Sequence, residues 1–177
     1  MFYHIYVTDE CNLCCSYCRG KLFTVDDDTS GVEVDEDIPT EVEYPLSDLY
    51  RFIAADPDPV VTFIGGEPLL RAGLIVEVMR DAPAKRFMLQ TNGLLLDRLP
   101  AETVSRFETV LVSIDGDRET TDRHRGPGTY DRVLAMASLI RERGFSGELI
   151  ARMTDEDWQA VLSVNQPVGG DRDVVVP

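Results

Sequence analysis

A chain of 177 residues, 44% hydrophobic and 28% charged, suffices for one ordinary globular domain, and it holds no apolar run long enough to span a bilayer. Its 32 acidic and 17 basic residues leave a net charge of -15, which repels nucleic-acid phosphates and argues against a nucleic-acid partner. All 4 cysteines lie between positions 11 and 18, so they read as a metal site in a reducing cytoplasm rather than a disulfide framework.

Phe2 to Thr8 alternates two sets of side chains and predicts the first strand. His4 within it reads as a packed or surface side chain, not a ligand. The opening residues lack a basic region followed by an apolar stretch, so no secretory signal is expected and the protein is placed in the cytoplasm. CNLCCSYC follows at 11–18, with Cys11, Cys15 and Cys18 spaced C-x3-C-x2-C. Thiolates are soft ligands that select zinc, Cu(I) or iron–sulfur clusters. Three on one short loop can hold three irons of a four-iron cluster and leave one iron open to a substrate or second cofactor. The alternative is a structural zinc on all four cysteines. Such sites usually join separated ligand pairs, whereas Cys14 and Cys15 are adjacent on one tight loop, and Cys14 reads as a bystander.

Residues 26–43, DDDTSGVEVDEDIPTEVE, carry no basic residue and predict a solvated excursion rather than a carboxylate metal site. Leu46, Leu49, Tyr50 and Ile53 recur at helical spacing, and Pro57 and Pro59 close that helix. Val60 to Ile64 is the second strand, ended by Gly65-Gly66-Glu67-Pro68. Leu70, Leu74, Ile75, Val78 and Met79 form the stripe of a second helix. Lys85 to Gln90 is a third strand, ended by the turn Thr91-Asn92-Gly93. Pro100 to Phe107 predicts a third helix, and Thr109 to Ile114 a fourth strand ended by Asp115-Gly116. Thr121 to Gly128, rich in arginine and glycine, predicts a loop. Tyr130, Val133, Leu134, Ala137 and Ile140 mark a fourth helix stopped at Gly144, and Glu148 to Met153 a fifth strand. Thr154 and Asp157 resemble a capping box opening a short helix through Leu162, and Val174 to Val176 is a candidate sixth strand.

Strands alternating with helices predict an α/β fold with a parallel sheet, consecutive strands lying side by side. Every strand tip then falls on one rim, where such folds build their sites. The cysteine loop, GGEP, QTNG, SIDG and RMT would share it.

The combination of CNLCCSYC, TFIGGEPLL, LQTNG and VSIDG resembles the radical SAM superfamily over residues 2–154, and is nearest to its peptide- and protein-modifying, SPASM-type branch. That resemblance implies an incomplete (β/α)6-type partial TIM barrel. It implies a [4Fe-4S] cluster on Cys11, Cys15 and Cys18, with S-adenosylmethionine on the open iron. One electron would then cleave the sulfonium and release a 5′-deoxyadenosyl radical, which abstracts hydrogen from a peptide or protein. An external electron donor is implied as well. Tyr17 matches a position near adenine, and Gly65, Gly66 and Glu67 the segment that meets the methionine amino group. Asn92 lies in a matching tip, and Ser113 and Asp115 match the fourth tip near ribose and methionine. Arg125 resembles the arginine of an HDxxRG pattern, with Arg152 its rival for a carboxylate. The remaining alternative is a non-catalytic iron–sulfur or zinc module acting through a partner. The expected organisation is a core over 1–154 and a divergent tail over 155–177, which reads as truncated or frameshifted because the family's C-terminal cysteines are absent and a sheet edge is left open.

Overall fold

The computed structural model describes residues 1–18 and 41–152. The predicted helix from Thr154, the strand at Val174 to Val176 and most of the acidic stretch at 26–43 lie outside the described residues. Among the described residues, five parallel strands, β1 (Phe2–Tyr6), β2 (Val60–Ile64), β3 (Arg86–Thr91), β4 (Phe107–Ser113) and β5 (Glu148–Arg152), form one sheet in sequence order. Between them run α1 (Leu46–Ile53), α2 (Ala72–Asp81), α3 (Ala101–Val104), α4 (Arg118–Arg125) and α5 (Thr129–Glu142). Neighbouring strands joined through helical crossovers are the order that short right-handed βα connections favour.

The register sorts side chains by face. Ile5, Phe63, Leu89, Val110 and Leu149 form one row across the sheet, and His4, Thr62, Met88, Thr109 and Glu148 form a row on the opposite face. The first row meets Ile53, Ile75, Val78, Met79, Val133 and Ile140 from the helices in a single apolar core. Phe63 stacks on Phe87 at 6.3 Å between ring centres and meets Phe107 edge-on at 6.3 Å. Each such aliphatic or aromatic side chain contributes roughly 1.5–3 kcal/mol by leaving water. A register shift between Phe87 and Met88 lets Glu108 project from β4 toward Arg86, which it grips through both carboxylate oxygens.

Leu70, predicted on the second helix, lies in a separate 3-10 turn over Pro68–Arg71, and three further elements differ from expectation. The helix predicted over Pro100 to Phe107 is one turn, α3, because Phe107 is already the buried first residue of β4. The first strand ends at Tyr6, though Val7 still donates to Ile64 O at 2.8 Å. The region Thr121 to Gly128, predicted as a loop, is helical through Arg125. Its sequence RETTDRHR has no apolar stripe, and Thr121 alone is buried. Asp117 opens this helix by accepting from Thr120 N at 2.8 Å, and Arg123, His124 and Arg125 place cationic or polar side chains at its C-terminal end.

Gly65 and Gly66 set how β2 meets β1. A Cβ on Gly66 would sit well inside contact distance of the carbonyl oxygens of Asp9 and Glu10, and one on Gly65 would collide with the Thr8 carbonyl. Both obstacles are backbone, which cannot swing aside. Gly66→Ala is therefore expected to destabilise the chain by about 1–3 kcal/mol, the usual cost of overpacking, read as a lower urea midpoint at unchanged slope. An unchanged midpoint would show that the two tips can separate freely.

Candidate active site

The cysteine loop leaves β1 and is held from three directions. Gly66 N donates to Thr8 O at 2.7 Å and Glu67 N to Glu10 O at 2.8 Å, so the GGEP tip and the loop lie on the same rim. The β3 tip reaches the loop through Asn92, whose Nδ2 donates to Asn12 Oδ1 at 2.7 Å and lies 3.8 Å from Cys11 Sγ. The end of α4 closes the third side. There Ser16 N donates to His124 O at 3.1 Å, and Ser16 Oγ lies 2.8 Å from His124 Nδ1.

Glu67 is fully buried. Its Oε1 accepts from Leu69 N at 3.0 Å and Thr91 Oγ1 at 2.8 Å, and its Oε2 from Asn92 N at 2.8 Å. The carboxylate thus ties the second tip to the third and is turned inward. Burial raises its pKa, and the three hydrogen bonds offset that only in part. The native chain therefore holds this proton more tightly than the unfolded chain. Its contribution to stability is present in full below the unfolded value and declines as pH rises through the folded one. Glu67→Gln would set an amide N–H against the Asn92 N–H. We expect a loss of about 1–3 kcal/mol in urea unfolding, with the gap to the parent narrowing as pH rises above the ordinary glutamate range. A gap that widens with pH would contradict this.

Asp115 and Arg125 form a buried two-toothed pair, Nε to Oδ2 at 2.6 Å and Nη2 to Oδ1 at 2.9 Å, with side-chain exposures of 2% and 10%. Tyr17 O–H donates to the same Oδ1, Arg125 Nη2 donates to the Tyr17 oxygen at 2.6 Å, and the guanidinium carbon lies 5.7 Å from the Tyr17 ring centre. Burial, and then the hydrogen bond to Asp115, raise the Tyr17 pKa, so the phenol remains a donor. Asp115 N donates to Thr121 Oγ1 at 3.2 Å. Arg125 Nη1 points toward Cys15 Sγ at 4.0 Å.

Cys11, Cys15 and Cys18 are half-buried, while Cys14 is exposed. Burial is the main cause that raises the Cys15 pKa; Arg125 opposes it, and Cys11 and Cys18 add to it. Among the described residues, no three His, Cys, Asp or Glu side chains close around a single ion. A four-iron cluster needs its three sulfurs spaced more widely than one ion does.

Residues 5–162 match the Radical SAM superfamily. The chain belongs to that superfamily. Fe-coproporphyrin III synthase of Methanosarcina barkeri is 34% identical over 143 residues, covering 78% of this chain and 33% of that protein. Pre-heme d1 synthase of Dinoroseobacter shibae is 32% identical over 160 residues, covering 85% and 36%. The chain thus spans about a third of the length of these relatives. A solved structure described as native anSMEcpe with bound AdoMet superposes with a TM-score of 0.62 at 22% identity, covering 92% of this chain and 47% of the other. That likeness supports the parallel partial barrel.

Radical SAM enzymes use a [4Fe-4S] cluster and S-adenosylmethionine, and these are the cofactors of this chain by membership. The donor set fits: three half-buried thiols on one short loop, with N–H groups of Leu13, Asn92 and Arg125 directed at two of the sulfurs. All the expected site residues occupy one rim. Ser113 and Arg152, paired in register, stand at the ends of β4 and β5. Glu67, Asp115 and Arg125, which the resemblance sets beside the cofactor, also have partners within the protein. Thr91, Thr121, Ser16 and His124 are site-supporting residues that sequence reasoning missed. Their signal was adjacency: each lies within one to four residues of a residue already singled out.

Proposed function

We propose that this chain carries the core of an enzyme that reductively cleaves S-adenosylmethionine and removes a hydrogen atom from a peptide or protein, in the manner of the SPASM-type branch. The observation that carries the reading is the common rim of Cys11, Cys15 and Cys18 with the tips at Gly65–Glu67, Asn92 and Ser113. In this reading the thiolates of Cys11, Cys15 and Cys18 would hold three irons of the cluster. The backbone of Gly65 and Gly66 meets the amino group of S-adenosylmethionine. Ser113 and Arg152, paired in register at the ends of β4 and β5, are the residues assigned to its carboxylate and ribose. Tyr17 lies toward the adenine, locked by Asp115 and Arg125. When bound, the two cofactors would supply a 5′-deoxyadenosyl radical. The protein's part is to position and shield them. An external donor supplies the electron.

The peptide substrate is supported by the fold neighbour described with a bound Cp18Cys peptide, at a TM-score of 0.62. A porphyrin or haem substrate is the second reading, favoured by relatives named Fe-coproporphyrin III synthase, Pre-heme d1 synthase and AdoMet-dependent heme synthase. Anaerobic reconstitution with iron and sulfide is expected to give a brown protein that forms 5′-deoxyadenosine under reduction. A colourless zinc protein, or a cluster whose spectrum ignores added S-adenosylmethionine, would overturn the proposal. Carry-over of deuterium from labelled peptide, but not from labelled porphyrin, into 5′-deoxyadenosine separates the substrate readings.

A further inference from the structure

The side-chain amide of Asn92 cannot flip. Its Oδ1 accepts from Leu94 N at 3.0 Å, and its backbone N–H is fixed by Glu67 Oε2 at 2.8 Å. The residue is 6% exposed. With the oxygen committed, both Nδ2 hydrogens face the cysteine loop. One serves Asn12 Oδ1 at 2.7 Å, and the other is directed at Cys11 Sγ, 3.8 Å away. Cys11 Sγ also receives Leu13 N–H at 3.4 Å. A buried amide with two fixed anchors and a donor aimed at a ligand sulfur is more than a turn residue requires.

We propose that Asn92 is a positioning residue of the cluster, donating a side-chain N–H to the Cys11 sulfur and thereby raising the cluster's reduction potential; this rests on the cluster reading above. A hydrogen bond to a thiolate sulfur draws off electron density and favours the more negative, reduced state. Glu67 serves the same end at one remove. Its buried carboxylate holds the Asn92 backbone, so the β2 tip, the β3 tip and the first cluster ligand form one rigid chain of contacts.

The test is redox titration of the reconstituted full chain. Asn92→Ala removes the donor without adding charge, and Asn92→Asp removes it and adds a carboxylate. At the parent's midpoint, we expect the oxidised-to-reduced ratio to rise in Asn92→Ala and to rise further, about tenfold or about 59 mV for one electron, in Asn92→Asp. An Asn92→Ala midpoint equal to the parent's overturns the proposal, whatever Asn92→Asp does. Should the variants fail to load, the unaltered chain decides. With asparagine side chains ¹⁵N-labelled, pulsed EPR of the reduced cluster is expected to show a nitrogen coupling, and its absence overturns the proposal. If the parent itself forms no iron–sulfur cluster, the broader reading fails and this one falls with it. A parent that loads and cleaves S-adenosylmethionine while Asn92→Ala leaves the potential unmoved removes this inference alone.

Discussion

Replacing Cys15 with alanine is expected to abolish cluster loading and lower 5′-deoxyadenosine formation by more than about 100-fold, while Cys14→Ala keeps both near the parent level. The bound follows because loss of an outer-shell partner alone typically costs about 10- to 100-fold in metal affinity or activity, and loss of a ligand costs more. Cys15 sits between Cys11 and Cys18 in the loop, feels both thiols, and has Arg125 Nη1 directed at its sulfur. Cys14 is exposed, whereas the other three cysteines are half-buried. Iron and sulfide per chain, measured after anaerobic reconstitution of both variants, check the contrast. A four-cysteine zinc site predicts the opposite for Cys14→Ala, namely weakened metal binding. Retention of a full cluster in Cys15→Ala would remove Cys15 from the ligand set and leave the C-x3-C-x2-C reading without support.

Asp115→Asn is expected to destabilise the chain by about 3–5 kcal/mol, the usual cost of leaving one partner of a buried ion pair uncompensated. Arg125 has nowhere to turn, being only 10% exposed, and an amide nitrogen in place of a carboxylate oxygen would confront one of its N–H groups. The effect reaches beyond the pair. Tyr17, which stands in the cysteine loop, donates to Asp115 and accepts from Arg125, so the loop loses its anchor on the β4 tip as well. Two measurements check this. Urea unfolding should show the lost stability. Hydrogen exchange should show faster opening at residues 11–18 than in the sheet, where loss of a merely local contact would leave the loop protected. Arg125→Met made together with Asp115→Asn should recover part of the loss, because removing both charges removes the uncompensated one. A single Asp115→Asn variant within about 1 kcal/mol of the parent would sink the idea that this pair clamps the loop.

The two residues also mark how a family resemblance and a structure divide the work. Asp115 and Arg125 match family motifs, and both lie at the rim. Their side chains, however, are spent largely on each other and on Tyr17. Glu67 follows the same pattern: it lies in the segment that the resemblance sets beside the cofactor, yet it is wholly buried and serves Leu69, Thr91 and Asn92. The glycines before it face the carbonyls of Thr8, Asp9 and Glu10 closely enough to exclude a Cβ. Their small size is needed for strand-tip packing before any ligand is considered.

The sequence by itself determined what local pattern can encode. Alternating side chains in Phe2 to Thr8, strand-like runs interleaved with helical stripes such as Ile75, Val78 and Met79, and the thiol spacing at Cys11, Cys15 and Cys18 report periodicity and ligand type, and these predict the parallel sheet and the metal chemistry. Only the tertiary structure decided the helix Arg118–Arg125, since RETTDRHR carries no stripe and docks on the cysteine loop through Arg125 and His124. It alone decided that Tyr17 meets Asp115 across 98 positions of chain and that Asn92 meets Cys11 across 81. Periodicity tells a side chain which face to take, whereas a polar partner that far away is chosen by how the strand tips close together. That closure is a property of the packed sheet and of no single segment.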